Sequence, residues 1–240
     1  MNMINKKDPL MIEISSVKSN YDVLPVNAFV DDDTIIPGII GREVDIDKSY
    51  DKMKISGIFR EDALIFKDIL PSSSLSNNKD KYIVKGNGNK KDVAIIVIFN
   101  NNYIDNINQI DNVTVFVNHR DLSIENIKKL NEKEVYSYGN KGEYNSEIIV
   151  NDNTLINRIA NNKSLYCLVS SKNSEVLNIC KDNNMYVVLP NIIGGYYEVK
   201  NSLSNGSIIL LDKMNDVDNV IRYINSKGYD IVTLSKLLSE

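Results

Sequence analysis

From Asp92 onward, apolar and polar positions alternate in regular blocks. Val93 to Phe99 is a continuous apolar run bounded by polar residues, the pattern of a strand buried on both faces. Val113 to Val117 repeats it. The pattern then predicts a helix over Ile124 to Leu130, an extended segment over Glu134 to Tyr138, and a helix over Leu155 to Ile159. Leu165 to Val169 reads as a strand, Ser174 to Lys181 as a helix and Met185 to Leu189 as a strand. Ser207 to Leu211 follows as a strand, Val217 to Ser226 as a helix and Ile231-Val232 as a short strand. Thr233 is placed to cap a last helix through Leu238. Strands alternating with helices predict parallel βαβ units. Their number and brevity suit an open or distorted (β/α) barrel better than a full eight-fold one.

Before residue 92 the pattern is irregular. Met11-Ile12-Glu13-Ile14 reads as a short strand. Asp31-Asp32-Asp33 and Pro37-Gly38 read as loop, and no calcium-loop spacing follows the aspartates. Asp47 to Ser56 has helical spacing, with Asp45 or Asp47 suited to the N-cap. Leu64 to Ile69 is an apolar run ended by Pro71. Tyr82-Ile83-Val84 reads as a strand ending in the turn-rich Gly86-Asn87-Gly88-Asn89. We therefore expect a small α+β region over 1–91 and an α/β domain over 92–240.

Composition narrows the classes. A net charge of −4 gives no electrostatic footprint for nucleic acid. No apolar run approaches the roughly 20 residues that span a membrane. No signal peptide is visible, but Met1 to Lys7 reads as an arbitrary start, as if an N-terminal anchor had been trimmed away. Asn, Lys and Ile are abundant and Trp is absent, as in an AT-rich genome. Cys167 and Cys180 fit no metal framework, and we read them as two buried free thiols.

Several ordered motifs in residues 92–240 resemble the NodB-type polysaccharide deacetylase domain. Ile98-Phe99-Asn100-Asn101-Asn102 is similar to the family's Thr-Phe-Asp-Asp-Gly, and Val113-Thr114-Val115-Phe116-Val117 to its second strand. Glu134 to Gly142 resembles the segment that carries two histidines four residues apart. Leu165 to Asn173 resembles an Arg-Pro-Pro-Tyr-Gly stretch. Asn205-Gly206-Ser207-Ile208-Ile209-Leu210-Leu211-Asp212, then Lys227-Gly228-Tyr229, resembles the family's closing strand and turn. Ile36 to Asp45 resembles an N-terminal extension found in some clostridial-type deacetylase-like proteins. The resemblance implies the family's distorted barrel, but its chemical positions are substituted. The general base falls on Asn100, which cannot accept a proton at neutral pH. The three metal ligands fall on Asn101, Tyr138 and Gly142, the orienting arginine on Tyr166 and the general-acid histidine on Asp212.

The expectation is a degenerate, non-catalytic relative without metal or other cofactor. Its partner is a cell-wall glycan or an envelope protein, in an extracytoplasmic, secreted or anchored setting. Asn100, Asn101 and Asn102 could hydrogen-bond sugar hydroxyls, or simply punctuate a loop. Tyr138, Tyr196 and Tyr197 could stack on sugar faces, or pack half-buried. Asp212 reads as a carboxylate near a helix cap, and His119, the one histidine, as a solvated loop residue. The alternative is an active metal-dependent N-acetylglucosamine deacetylase, drawing ligands from Asp105, Asp111, Asp212 and His119.

Overall fold

A computed structural model describes residues 8–130, 133–160 and 163–240. Met1 to Lys7, and the expectation about the start of the chain, lie outside them. The chain opens with α1 (Pro9–Tyr21), β1 (Phe29–Asp31), β2 (Thr34–Ile36), β3 (Gly41–Val44), α2 (Ile46–Met53), β4 (Phe66–Ile69) and β5 (Tyr82–Ile83). It continues with β6 (Asp92–Ile98), α3 (Ile104–Asn108), β7 (Thr114–Val117), α4 (Ile124–Lys129), β8 (Glu134–Ser137) and α5 (Ser146–Ile159). Next come β9 (Tyr166–Leu168), α6 (Ser174–Asp182), β10 (Tyr186–Val188), β11 (Ile192–Gly194) and α7 (Tyr196–Ser202). The chain closes with β12 (Ile208–Leu211), α8 (Val217–Ser226), β13 (Asp230–Ile231) and α9 (Leu234–Leu237).

Two compact units result. The smaller combines residues up to Ala28 with Gly38–Ser74 and Glu240; the larger holds Phe29–Pro37 and Leu75–Ser239. The β1–β2 hairpin and β5 thus belong to the larger unit, not to an N-terminal region ending at residue 91. The reason is pairing: β2 adds in parallel to β5, and β5 in turn to β10.

In the smaller unit the expected strand at Met11 to Ile14 is helix. Asp8 accepts the Leu10 N–H at 2.9 Å and Pro9 opens the first turn, a strong start signal. Leu10 and Ile14, four residues apart, then share the face that packs with Val44, Met53 and Leu64. Asp45 caps α2, as expected. From β3, Glu43 pairs with Lys18 of α1 at 2.6 Å and with Lys67 of the neighbouring β4 at 2.8 Å. Hydrogen bonds from these two ammonium groups pull the Glu43 carboxyl from its ordinary 4.5 down to about 2.

In the larger unit β6 is central to a six-stranded sheet, in the order β11-β12-β6-β7-β8 with β13 also on β6. Every pairing in it is parallel. Val93 to Val97 are fully buried, as their apolar run requires. A five-stranded sheet, β1-β2-β5-β10-β9, lies beside it and is parallel except for the β1–β2 hairpin. Edge strands β8 and β9 share no backbone ladder. Aromatic rings bridge that seam: Phe116, Tyr136, Tyr166 and Tyr186 form a row with centroids 5.4, 5.3 and 6.0 Å apart. The buried Tyr144 hydroxyl pins the same seam. It lies 3.2 Å from the Ser137 carbonyl and 3.4 Å from the Leu168 carbonyl, and accepts the Leu168 N–H at 3.0 Å. The layout is the expected α/β fold of parallel strands alternating with helices. The pattern did not show helix α3 or strand β11, both too short for a clear period.

Cys167 and Cys180 are not free thiols. They form a disulfide between β9 and α6, with Cα atoms 6.6 Å apart and both residues wholly buried. The helix packs back on its own strand, and that brings the two side chains together.

Candidate functional site

In parallel α/β folds chemistry gathers at the C-terminal ends of the strands. Beyond β6, the Asn100 side chain accepts the Asn102 N–H at 3.0 Å and caps a short 3-10 turn over Asn101–Tyr103. Asn100, Asn101 and Asn102 are exposed. Beyond β11 and β12, Glu198 accepts the Gly195 N–H at 2.8 Å and pairs with Lys213 at 3.1 Å. The Gly195 N–H, first, and then Lys213 hold the Glu198 carboxyl below its usual range. A Cβ at Gly195 would sit 2.3 Å from the Asp216 carboxylate, so glycine lets the Tyr196 N–H reach that oxygen at 3.1 Å. Asp212 stands exposed next to this cluster.

The ends of β7 and β8 are built differently. His119 is not simply solvated: its Nδ1 lies 2.7 Å from Asp152 on α5. Asp152 is 3% exposed, and its other carboxylate oxygen accepts the Ser137 hydroxyl at 2.5 Å. With Asp152 as carboxylate acceptor, the hydrogen bond requires the proton on Nδ1. Ser137 Oγ also accepts the Gly139 N–H at 2.9 Å, and the Gly139 carbonyl accepts the His119 N–H at 2.7 Å. A carboxylate this deep is tolerated because both oxygens are hydrogen-bonded.

This network anchors a tight loop. Gly139, Lys141 and Gly142 all have left-handed φ, at 58°, 56° and 89°. At Gly139 a Cβ would lie 2.4 Å from the Glu143 carbonyl oxygen, so only glycine closes the turn. Asn140 and Glu143 exchange backbone hydrogen bonds, and the Asn118 side chain accepts the Lys141 N–H at 3.2 Å. Tyr138 is half-buried beside Gly142, and burial raises its phenol pKa.

The loop forms one wall of a cleft of about 400 Å3, lined by Asn140, Glu143, Tyr144, Asn145, Ile148, Asn173, Glu175 and Val176. Asn145 caps α5 by accepting the Ile148 N–H, and Asn173 caps α6 by accepting the Glu175 and Val176 N–H groups.

The residues singled out in the sequence do not all converge. Tyr166 is the first residue of β9, buried in the aromatic row and away from the C-terminal rim. Tyr196 packs edge-on against Tyr223 at 5.8 Å in a shallow groove with Asn219, Arg222 and Ser226, while Tyr197 is 70% exposed. Asp111 precedes β7 and so lies at the rim opposite His119. Among the described residues no group of three or more His, Cys, Asp and Glu could hold a metal ion, so the alternative ligand set of Asp105, Asp111, Asp212 and His119 is not assembled. Asn101, a phenol and a glycine do not fit the family's divalent metal either, since they offer no anionic or imidazole donor. Ser137, Asp152 and the cleft residues were missed. One signal for Asp152 was available, because it stands at helical spacing between the buried Ile149 and Ile156.

Fold and strand ends together define an α/β protein with the polysaccharide deacetylase fold, shared with family 4 carbohydrate esterases. No family model matches the chain. Wild-type BA3943 from Bacillus anthracis, a CE4 family pseudoenzyme, is similar with a TM-score of 0.68 and 24% identity, over 98% of this chain and 96% of that one. A BA3943 mutant with restored enzymatic activity gives a TM-score of 0.69 at 23% identity, over 96% and 98% of the two chains. The Bc1960 peptidoglycan N-acetylglucosamine deacetylase gives 0.56 at 16% identity, over 66% of this chain and 94% of that one. In sequence, 102 residues are 39% identical to the uncharacterized protein YlxY of Bacillus subtilis (strain 168), covering 41% of this chain. The matched segment spans only 32% of YlxY.

Proposed function

We propose that the protein is a non-catalytic relative of the polysaccharide deacetylases that binds a cell-wall glycan outside the cytoplasm. One observation carries this reading. The positions that resemble the family's base, ligands, arginine and acid hold Asn100, Asn101, Tyr138, Gly142, Tyr166 and Asp212. Two of them serve a turn, one is a raised-pKa phenol and one a buried ring in a packed row. With those groups gone, neither a metal-bound water of lowered pKa nor a positioned base is available. The similarity to a CE4 pseudoenzyme supports the same reading. A buried disulfide supports the compartment, because such bonds persist where the surroundings are oxidising. No helix among the described residues is long and apolar enough to cross a membrane.

The glycan contacts we assign to this reading are Asn100, Asn101, Asn102 and Tyr138 at the strand ends, with Tyr196 and Tyr197 on the flank. The test is acetate release from N-acetylglucosamine oligomers and purified peptidoglycan with zinc, cobalt or chelator. We expect none, together with saturable binding to isolated cell wall. Metal-dependent release above a heat-killed control overturns the non-catalytic reading.

A further inference from the structure

We propose that the cleft between the Tyr138–Asn145 loop and the start of α6 is an amino-sugar site, selecting a sugar whose amine is free rather than acetylated. This rests on the glycan-binding reading above and adds to its contacts a further subsite with a preference of its own.

The cleft has the volume of a small-molecule site, for which about 300–1,000 Å3 is usual. Its wall is rigidly made, with three left-handed residues closing the loop and the Ser137–Asp152–His119 network tying the loop to α5. Ile148 in the cleft and Asp152 in the network are four residues apart on the same face of α5, so the anchor lies directly beneath the wall.

The lining sets the chemistry. Glu143 and Glu175 bring two carboxylates, neither has an ion-pair partner among the described residues, and no Lys or Arg lines the cleft. The starts of α5 and α6 are the competing influence, since each helix N-terminus carries about half a positive charge. Two full negative charges outweigh them. Of the backbone N–H groups at these two helix starts, that of Ile148 is already taken by Asn145, and those of Glu175 and Val176 by Asn173. An anionic ligand is therefore disfavoured and an ammonium group favoured.

Because the oxygens of Asn145 and Asn173 cap the helices, the NH2 groups of both amides remain as donors. With Asn140 they supply the hydrogen bonds that sugar hydroxyls accept, while Tyr144 and Val176 give apolar floor. A protonated amino sugar presents this combination of one cation and several hydroxyls. Acetylation removes the cation and adds bulk.

The experiment is calorimetric titration of the whole chain with glucosamine oligomers and with N-acetylglucosamine oligomers, at mildly acidic pH and low salt. Nuclear magnetic resonance follows the Asn145 and Asn173 side-chain amides in parallel. We expect the free-amine oligomers to bind about tenfold or more tighter, to shift both amides, and to lose that margin in the E143Q/E175Q variant. Both glutamates are exposed, so the variant keeps the fold. Equal binding of the two oligomers, unaffected by E143Q/E175Q and without amide shifts, overturns the amino-sugar site and leaves glycan binding standing. Binding of neither oligomer overturns both readings.

Discussion

The strand ends of β6 and β12 and those of β7 and β8 lie on the same rim but are finished in opposite ways. After β6 and β12 the polar residues are exposed and serve the chain itself, as Asn100 does in capping a turn. After β7 and β8 the polar residues go inward, with Asp152 held between His119 and Ser137. A rim that gathers charged groups for chemistry leaves them partly unsatisfied and poised. Here the β6 and β12 half spends its polar groups on a turn cap and a surface ion pair, while on the other half the Asp152 carboxylate is hydrogen-bonded at both oxygens within the protein. The second half, tied together by that network, shapes one wall of the cleft.

This contrast can be tested by weakening each half. The largest effect belongs to the disulfide behind the α6 wall. Cys167→Ser with Cys180→Ser should cost about 3 kcal/mol, measured by urea unfolding under oxidising conditions. Ser137→Ala should cost about 1–3 kcal/mol, because it removes a partner from a buried carboxylate. Hydrogen exchange should localise the loosening to the Gly139–Glu143 loop. An unchanged loop would mean that the network does not hold the wall. On the other half, Asn100→Ala should cost about 1 kcal/mol or less, since only a short exposed turn loses its cap. Equal losses at Ser137 and Asn100 would erase the contrast.

A smaller effect falls in the other unit and serves as its control. The Glu43 carboxyl is depressed to about 2, so its stabilisation is present above 4.5 and is lost as pH falls from 4.5 toward 2. Thermal melts across that window should show the acid-side decline, and Glu43→Gln should flatten it. The slope should be slight, because the pair is solvent-screened.

How much of this was legible follows from the range of the interactions. The strands of the large sheet were readable because Val93 to Val97 and their neighbours are apolar on both faces. Helix α1 was misread because four residues, Met11 to Ile14, were weighed without the Asp8-Pro9 start signal beside them. The network was not legible as a whole: His119 and Asp152 are 33 positions apart, and only the path of α5 joins them. The two cysteines pose the same problem, since their number is compatible with thiols or a bond until strand and helix are seen to pack. The residues at the positions that resemble the family's chemical ones were readable one by one, but not their occupations as turn cap, packed ring and half-buried phenol.

The aromatic seam has a consequence for how the molecule behaves in a crowd. Sheet edges invite other chains to add strands, and β8 and β9 are both such edges. They shield each other: the row of rings fills the gap between them, and the Tyr144 hydroxyl occupies the Leu168 N–H that a foreign strand would seek. The liability moves to β1, whose three residues are all exposed, with Phe29 64% open to solvent. If this protein self-associates on storage, that short hairpin edge is where aggregation should begin, and a lysine at Val30 is the substitution to stop it.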